Sequence, residues 1–441
     1  MNKKTIASIT TPIGEGGIGV IQVSGPNSLE IVNAVFRGKK NKDLRNAESK
    51  RLYYGEIHLN GTAVDEVIVN VLRKEDSFTG EDLVEVNCHG GIRAVKKTLE
   101  CIVSAGAKET HWEELTNHSF INDKVDLIQK EALLEIPQAK TRLGVKVLLD
   151  QYNGALSSFI NNLINEIEIN EAKRGNNINQ DFSYIHDRLR EILETAAFGC
   201  AITSPQKLII TGKPNAGKST LINALLREDR SIVHSEPGTT RDAVDSMFSI
   251  SGIPFTIVDT AGIRETNHIV EKLGVSESKK QLKQANKIIF MLDNSRPVER
   301  EDKELMKFIA ERLQAHKTDN NLNKVTVVTV VNKTDLPSKL NLSTLGTKQF
   351  NSTCQISASK GDGISELEEN LIVEFKEYTE YVPEKPIIFT GRQREYLSKA
   401  LSVSEQYIHL VKEGKDPGNC SKALSDIKQN LRNCVKASCF S

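Results

Sequence analysis

The chain has 441 residues, about three times the ~150 that a single domain commonly takes, so two or three domains are expected. Hydrophobic residues make up 38% and charged residues 26%, which supplies sizeable cores and excludes a disordered chain. Lys and Arg number 58 and so do Asp and Glu, so there is no global basic field, and any nucleic-acid contact must be local or shared with a partner. The longest apolar runs, such as Val325–Val331, fall short of the roughly 18 residues a membrane helix needs. MNKKTIASITTP breaks into a Gly-rich loop before a signal-peptide core can form. The cysteines carry no CxxC pair and no zinc spacing, and they read as reduced thiols of a cytoplasmic protein. Secretion, membrane spanning and a structural zinc site are set aside.

Residues 1–123 read as an α/β domain. Gly19–Val23 and Val67–Val71 are short strands, and Val84, Val86 and Cys88 alternate with Glu85 and Asn87 as a strand with one apolar face. That strand ends at His89-Gly90-Gly91, ahead of a helical pattern at Val95, Leu99 and Ile102. Over 124–206 the period becomes helical, with stripes at Leu156, Phe159, Ile160, Leu163, Ile164 and Ile167 and at Ile185, Leu189, Ile192, Leu193 and Ala196. The polar stretch 174–181 between them is expected to be a loop. Residues 207–378 alternate strands (Leu208–Thr211, Phe255–Asp259, Ile288–Asp293, Val325–Val331, Gln355–Ser357) with helical segments, the pattern of a parallel sheet covered on both faces. Helical spacing resumes over 379–441 at Leu397, Leu401, Ile408 and Val411, then at Leu424, Ile427, Leu431 and Val435. The expected fold class is α/β: a doubly wound, mostly parallel P-loop domain inserted into an α-helical domain and preceded by an α/β domain.

GKPNAGKS, Gly212 to Ser219, matches G-x-x-x-x-G-K-[ST] between a strand and a helix. Such a loop turns backbone N–H groups toward phosphates, and the helix N-terminus adds a favourable dipole. Lys218 then supplies charge to the β/γ-phosphates and Ser219 a hydroxyl for Mg²⁺. PGTTRD offers Thr240 as a switch hydroxyl for the metal. DTAG, Asp259–Gly262, ends a strand, with Asp259 placed for the metal and the Gly262 N–H for the γ-phosphate. NKTD, Asn332 to Asp335, follows the apolar strand, and Asp335 can accept from guanine N1–H and N2–H₂, groups that adenine does not offer. SAS, Ser357–Ser359, completes a base pocket through the Ala358 N–H. GKPNAGKS, PGTTRD, DTAG and NKTD occur in the order a GTPase requires, with SAS after them. The position after DTAG, where Ras-type enzymes carry a water-orienting Gln, is Ile263, so the water needs another group; Asp242, Arg264, Glu265 and Glu271 are the polar candidates nearby.

These residues carry a family resemblance. The chain resembles the MnmE (TrmE) family of tRNA wobble-uridine modification GTPases through TTPIGEGGIGVIQVSGP, SFTGEDLVEVNCHGG, FINDKVDL, GKPNAGKSTLINALL, PGTTRD and DTAGIRET, which span nearly its whole length. The resemblance implies GTP hydrolysis stimulated by K⁺, Mg²⁺, a homodimer with an N-terminal domain that dimerises and binds folate, and an FAD-containing partner of the MnmG (GidA) type. Together they add an aminomethyl or carboxymethylaminomethyl group to the wobble uridine of tRNA, using a folate one-carbon unit such as that of 5-formyl- or methylene-tetrahydrofolate. It places nucleotide contacts on Asn215, Ala216, Gly217, Lys218, Ser219 and Thr220, on His234, Ser235, Glu236, Pro237, Gly238, Thr239 and Thr240, on Asp259, Thr260, Ala261 and Gly262, and on Asn332, Lys333, Asp335, Ser357, Ala358 and Ser359. By resemblance, Asn215, His234, Glu236 and Thr239 would hold K⁺, Ser219 and Thr240 would hold Mg²⁺, and Glu271 in VEKLG would orient the attacking water, with Lys218 the other catalytic group.

The family's folate residues map to Gln22, Glu85 and Lys124. Gln22 departs from the family's arginine and cannot make a charged fork. The family's FTxRAF reads LTNHSF, so a second arginine becomes His118. The family's C-terminal Cys-Ile-Gly-Lys is replaced by NCVKASCFS, with Cys434 and Cys439 but no Gly-Lys. These departures motivate an alternative, a degenerate or regulatory paralogue that hydrolyses GTP and has lost the modification chemistry. A ribosome-assembly GTPase shares PNAGKS and GTTRD, but the second G domain or GxxG-bearing RNA-binding domain of such proteins is absent from the sequence after 381.

Overall fold

The computed structural model describes residues 4–39, 43–174, 183–226, 246–258, 285–317, 325–345, 350, 352–413 and 417–436. The expected loop 174–181 therefore lies almost wholly outside the described residues. Packing divides the chain into two units, Met1–Leu134 with Asn433–Ser441, and Glu135–Arg432.

The first unit is built on a seven-stranded sheet of order β3-β4-β5-β6-β2-β1-β7. Its strands are β1 (Ile6–Ile9), β2 (Ile18–Ser24), β3 (Phe36–Gly38), β4 (Arg51–Leu59), β5 (Thr62–Leu72), β6 (Leu83–His89) and β7 (Lys108–Glu109). All pairings are antiparallel except β1 with β7. The strand alternation read at 84–88 holds, because Val84, Val86 and Cys88 join Ile21, Val23 and Val69 in a core with α1 (Ser28–Val35) and α2 (Ile92–Ser104). Strand β4 has no counterpart among the sequence-derived elements. Its signal is the Asn60-Gly61 pair, which takes the left-handed turn conformation (φ 52° and 83°) that a two-residue hairpin needs. Helices α3 (Glu113–Ile121) and α4 (Leu127–Glu135) follow.

In the second unit α5 (Arg142–Tyr152), α6 (Ala155–Arg174), α7 (Ser183–Glu194) and α8 (Ala196–Thr203) precede a six-stranded sheet of order β13-β12-β11-β8-β10-β9. The strands are β8 (Gln206–Gly212), β9 (Ser246–Ile250), β10 (Ile253–Ile257), β11 (Lys287–Asp293), β12 (Thr326–Asn332) and β13 (Ser352–Gln355). Every residue of β12 is buried, as expected of a β-branched strand covered on both faces. The sheet is parallel apart from the antiparallel edge strand β9, where Phe248 and Ile250 alternate inward. The strand expected at 355–357 instead spans Ser352–Gln355, and Ser357 forms an isolated bridge to Asp362. Around the sheet lie α9 (Lys218–Leu225), α10 (Arg300–Lys317) and α11 (Ile364–Leu371), and the chain continues into α12 (Gly391–Lys412) and α13 (Pro417–Val435).

The segments that lead into and out of the six-stranded sheet lie side by side. The Gln151 amide donates to Lys385 O and accepts from Ile387 N, each at 3.1 Å. Tyr381 donates to the Asp150 carboxylate at 2.7 Å, and Ile388 N donates to Thr195 Oγ1. Burial, with Asp150 beside it, pushes the Tyr381 hydroxyl pKa upward, so it stays a donor.

At the opposite end of the strands from the phosphate loop, Lys287 is fully buried. Its ammonium donates to Glu374 (2.5 Å) and Thr326 (3.1 Å). Burial pulls its pKa down against the opposing pull of Glu374. Removing only the carboxylate strands a buried charge, so Glu374→Ala should destabilise the chain by about 3 kcal/mol, while Lys287→Met with Glu374→Leu should lie close to wild type. Urea unfolding of the three chains checks this; a double variant as unstable as Glu374→Ala would contradict it.

Candidate guanine-nucleotide site

The phosphate loop joins β8 to α9. Gly217 caps α9 in the left-handed conformation (φ 103°), and a Cβ there would meet Asn332 Nδ2 at 2.1 Å, so the position requires glycine. Asn215 also has positive φ (64°) and is exposed, as is Ser219. The Lys218 ammonium curls back onto its own loop, donating to Gly212 O (2.9 Å) and Lys213 O (2.7 Å). Burial pulls the Lys218 pKa down. Bound phosphate would supply the missing counter-charge at this helix N-terminus.

Asn332 joins the two halves of the site. Only 3% exposed, it donates from Nδ2 to Ala216 O (2.8 Å) in the phosphate loop and accepts at Oδ1 from Ala358 N (3.0 Å) in the SAS loop. Lys333 takes positive φ (64°) and pairs with Asp293 at 2.7 Å. Burial raises the Asp293 pKa, but the bonds from Lys333 and Ser295 outweigh it and hold the carboxyl below its usual range. Asp335 is exposed; Ser357 Oγ donates to it at 2.8 Å, which lowers its pKa and keeps the carboxylate charged. Ser359 Oγ lies 3.2 Å from Ser357 Oγ. The structure thus brings together Ala216, Gly217, Lys218, Asn332, Asp335, Ser357, Ala358 and Ser359. The switch residues His234 to Thr240, DTAG (259–262) and Glu271 lie outside the described residues, so their expected roles for Mg²⁺, K⁺ and water have no geometry here.

In the first unit, register sets Gln22, Glu85 and Asn70 abreast on β2, β6 and β5. Gln22 Nε2 donates to one Glu85 oxygen (2.7 Å) and Asn70 Nδ2 to the other (3.0 Å). Each oxygen keeps a second lone pair, so the carboxylate can still accept from a ring N–H. Asn70 escaped sequence reading because its strand, TAVDEVIVNVL, reads simply as apolar alternation. Lys124 is exposed on the loop between α3 and α4 with its stem against Gly80, and among the described residues no hydrogen bond joins it to Gln22 or Glu85. His118 is only 15% exposed and its Nδ1 lies 2.9 Å from Glu81. It is therefore committed to a buried pair.

A family model described as "GTP-binding protein TrmE N-terminus" matches residues 5–124, and one described as "50S ribosome-binding GTPase" matches 207–333. The tRNA modification GTPase MnmE of Carboxydothermus hydrogenoformans is 38% identical over 422 residues, covering 91% of this chain and 88% of the relative. The proteins of the same name from Alkaliphilus metalliredigens (35%) and a Thermotoga species (36%) each align with 93% of this chain and 90% of their own length. The chain belongs to the MnmE family.

Gln22, neutral where an arginine was expected, donates to the Glu85 carboxylate. His118 contributes to the internal packing of the 77–82 loop, where Ser24, Ser77 and Thr79 also interlock, so its departure falls on a structural pair. Cys434 is fully buried, and Cys439 lies outside the described residues. Cys88 is buried with its thiol pKa raised by burial, and His89 pairs with Asp65, so the two do not form a nucleophile–base pair.

The base pocket gives a direct test. Asp335→Asn replaces an acceptor by a donor, and should shift preference from guanosine toward xanthosine nucleotides by about 10²-fold or more. Competition binding with GDP and XDP reads this out; an unchanged preference would remove Asp335 from base recognition.

Proposed function

We propose that the chain is a K⁺-stimulated GTPase that acts with an FAD-containing, MnmG-type partner on the wobble uridine of tRNA. The pair would add an aminomethyl or carboxymethylaminomethyl group built from a folate one-carbon unit. The observation that supports this best is the association of a phosphate loop and a base loop, tied by Asn332, with family relatedness along almost the entire chain. The domain organisation proposed is 1–123 for folate binding and dimerisation, 124–206 and 379–441 for a split helical domain, and 207–378 for the G domain.

In this reading Lys218 would supply charge to the β- and γ-phosphates, Ser219 and Thr240 would hold Mg²⁺, and Asn215 with His234, Glu236 and Thr239 would hold K⁺. When bound, K⁺ supplies positive charge where a GTPase-activating arginine would act. Glu271 orients the water that Ile263 cannot. Hydrolysis does not itself form the new carbon bond, so the GTP cycle gates the complex. Glu85, with Gln22 and Asn70 beside it, would hydrogen-bond the pterin, and Lys124 would meet the folate's acidic tail. The balanced net charge accords with a cytoplasmic enzyme whose tRNA contact is shared with its partner. No helix among the described residues is long and apolar enough to cross a membrane.

The second reading, a paralogue that kept the switch and lost the chemistry, draws on Gln22 and the altered C-terminus. The Gln22–Glu85 bond and the internal role of His118 weigh against it. Mass spectrometry of wobble uridines separates the two in a strain lacking its own MnmE and supplied with this chain and its cognate FAD partner. Restored aminomethyl-type modification is expected. Unmodified uridine beside intact GTP hydrolysis would favour the degenerate paralogue. In the same strain Glu271→Ala should abolish the modification while the purified variant still binds GTP.

A further inference from the structure

Lys213 occupies a position that the phosphate-loop motif leaves open, yet the structure fastens it firmly. Its ammonium lies 2.5 Å from Glu299, 3.2 Å from Asp302 and 3.8 Å from Glu301, all at the start of α10. The side chain is 18% exposed and that of Asp302 is 8% exposed, so the pair is largely shielded from solvent screening. Asp302 also accepts from Glu299 N at 3.0 Å, the reciprocal contact that closes a helix N-terminus, which fixes the carboxylate before it meets Lys213. The backbone of the same lysine does the second half of the work. Lys213 O accepts from Lys218 Nζ at 2.7 Å and from Ala216 N at 3.3 Å.

We propose that Lys213 is a positioning residue for GTP hydrolysis: held by Asp302 and Glu299, it sets the loop carbonyl that aims Lys218. The inference rests on the GTPase reading above. The acidic anchor keeps Lys213 charged, since the bonds to Glu299 and Asp302 outweigh the downward pull of burial on its pKa. Lys218 has no acidic partner among the described residues and hangs on the Gly212 and Lys213 carbonyls. Movement of the second carbonyl therefore moves the ammonium. Small displacements of a group that stabilises transition-state charge cost more in turnover than in binding.

The test is steady-state GTP hydrolysis by the full chain in Mg²⁺ and K⁺, with the wild type as control. Lys213→Met and Asp302→Asn should each lower kcat about tenfold or more, with KM moving less than about threefold. Asn at 302 retains an acceptor for the helix cap. Lys213→Arg should stay within about threefold of wild type, because it keeps the charge that Asp302 holds. The double variant Lys213→Met/Asp302→Asn should be no slower than the slower single one, as expected of one shared interaction. Turnover within about twofold of wild type in both single variants would overturn the proposal. So would an arginine variant as slow as methionine, or a fall in kcat matched by an equal fall in GDP affinity and a lowered Tm, which marks a merely structural clamp. If Lys213→Met fails to fold, Asp302→Asn and Glu299→Gln carry the same comparison. A wild-type chain that does not turn over GTP would remove the function reading, and the control separates that result from failure of the inference.

Discussion

The nucleotide site depends on one buried amide. Asn332 ends a strand whose every residue is buried, and it uses both ends of its side chain, one on the phosphate loop and one on the base loop. A buried amide left half-bonded costs about 1–3 kcal/mol, so the two loops are held in register by a penalty on either alternative. Gly217 is glycine because the same amide occupies the space a side chain would take. The positive φ of Lys333 then turns the chain so that Asp335 meets Ser357.

A second constraint links this site to the helices. The β9–β10 turn docks on α5 through Thr141, whose hydroxyl donates to Gly252 O (2.7 Å) while accepting from Gly144 N at the helix start. Val147, Phe198, Ala201 and Ile202 from the helices share a core with Phe248, Phe255 and Leu221. The strands that follow the first switch segment in sequence are thus packed directly against α5 and α8.

Much of this was legible in the sequence, for reasons that differ by region. GKPNAGKS, NKTD and SAS could be placed because phosphate and guanine binding demand particular residues at fixed points on a strand–loop–helix, and the structure assembles them with Asn332 at the centre. The apolar runs at β11 and β12 were readable because strands buried on both faces leave few alternatives. Strand β4 and edge strand β9 were missed, since RLYYGEIHL and SMFSI mix polar and apolar residues in ways set by which face is covered. Asn70 and Lys213 were missed for another reason. No motif prescribes either residue type, since Asn70 lies in a plain strand and Lys213 fills an open position of the phosphate loop, and each gains its importance from a partner distant in sequence, Glu85 across a sheet register and Asp302 at the start of α10. The His118 partner was equally illegible, because its contact to Glu81 depends on how the 77–82 loop meets α3.

The most direct measurement of the account is the affinity of the full chain for GDP, wild type against Asn332→Ala, by equilibrium titration at fixed Mg²⁺ and K⁺. If the amide unites the phosphate and base loops, affinity should fall by about tenfold or more, the equivalent of a lost buried hydrogen-bond pair. Affinity unchanged in a folded Asn332→Ala chain would mean that the two loops are placed independently, and the central claim would fail.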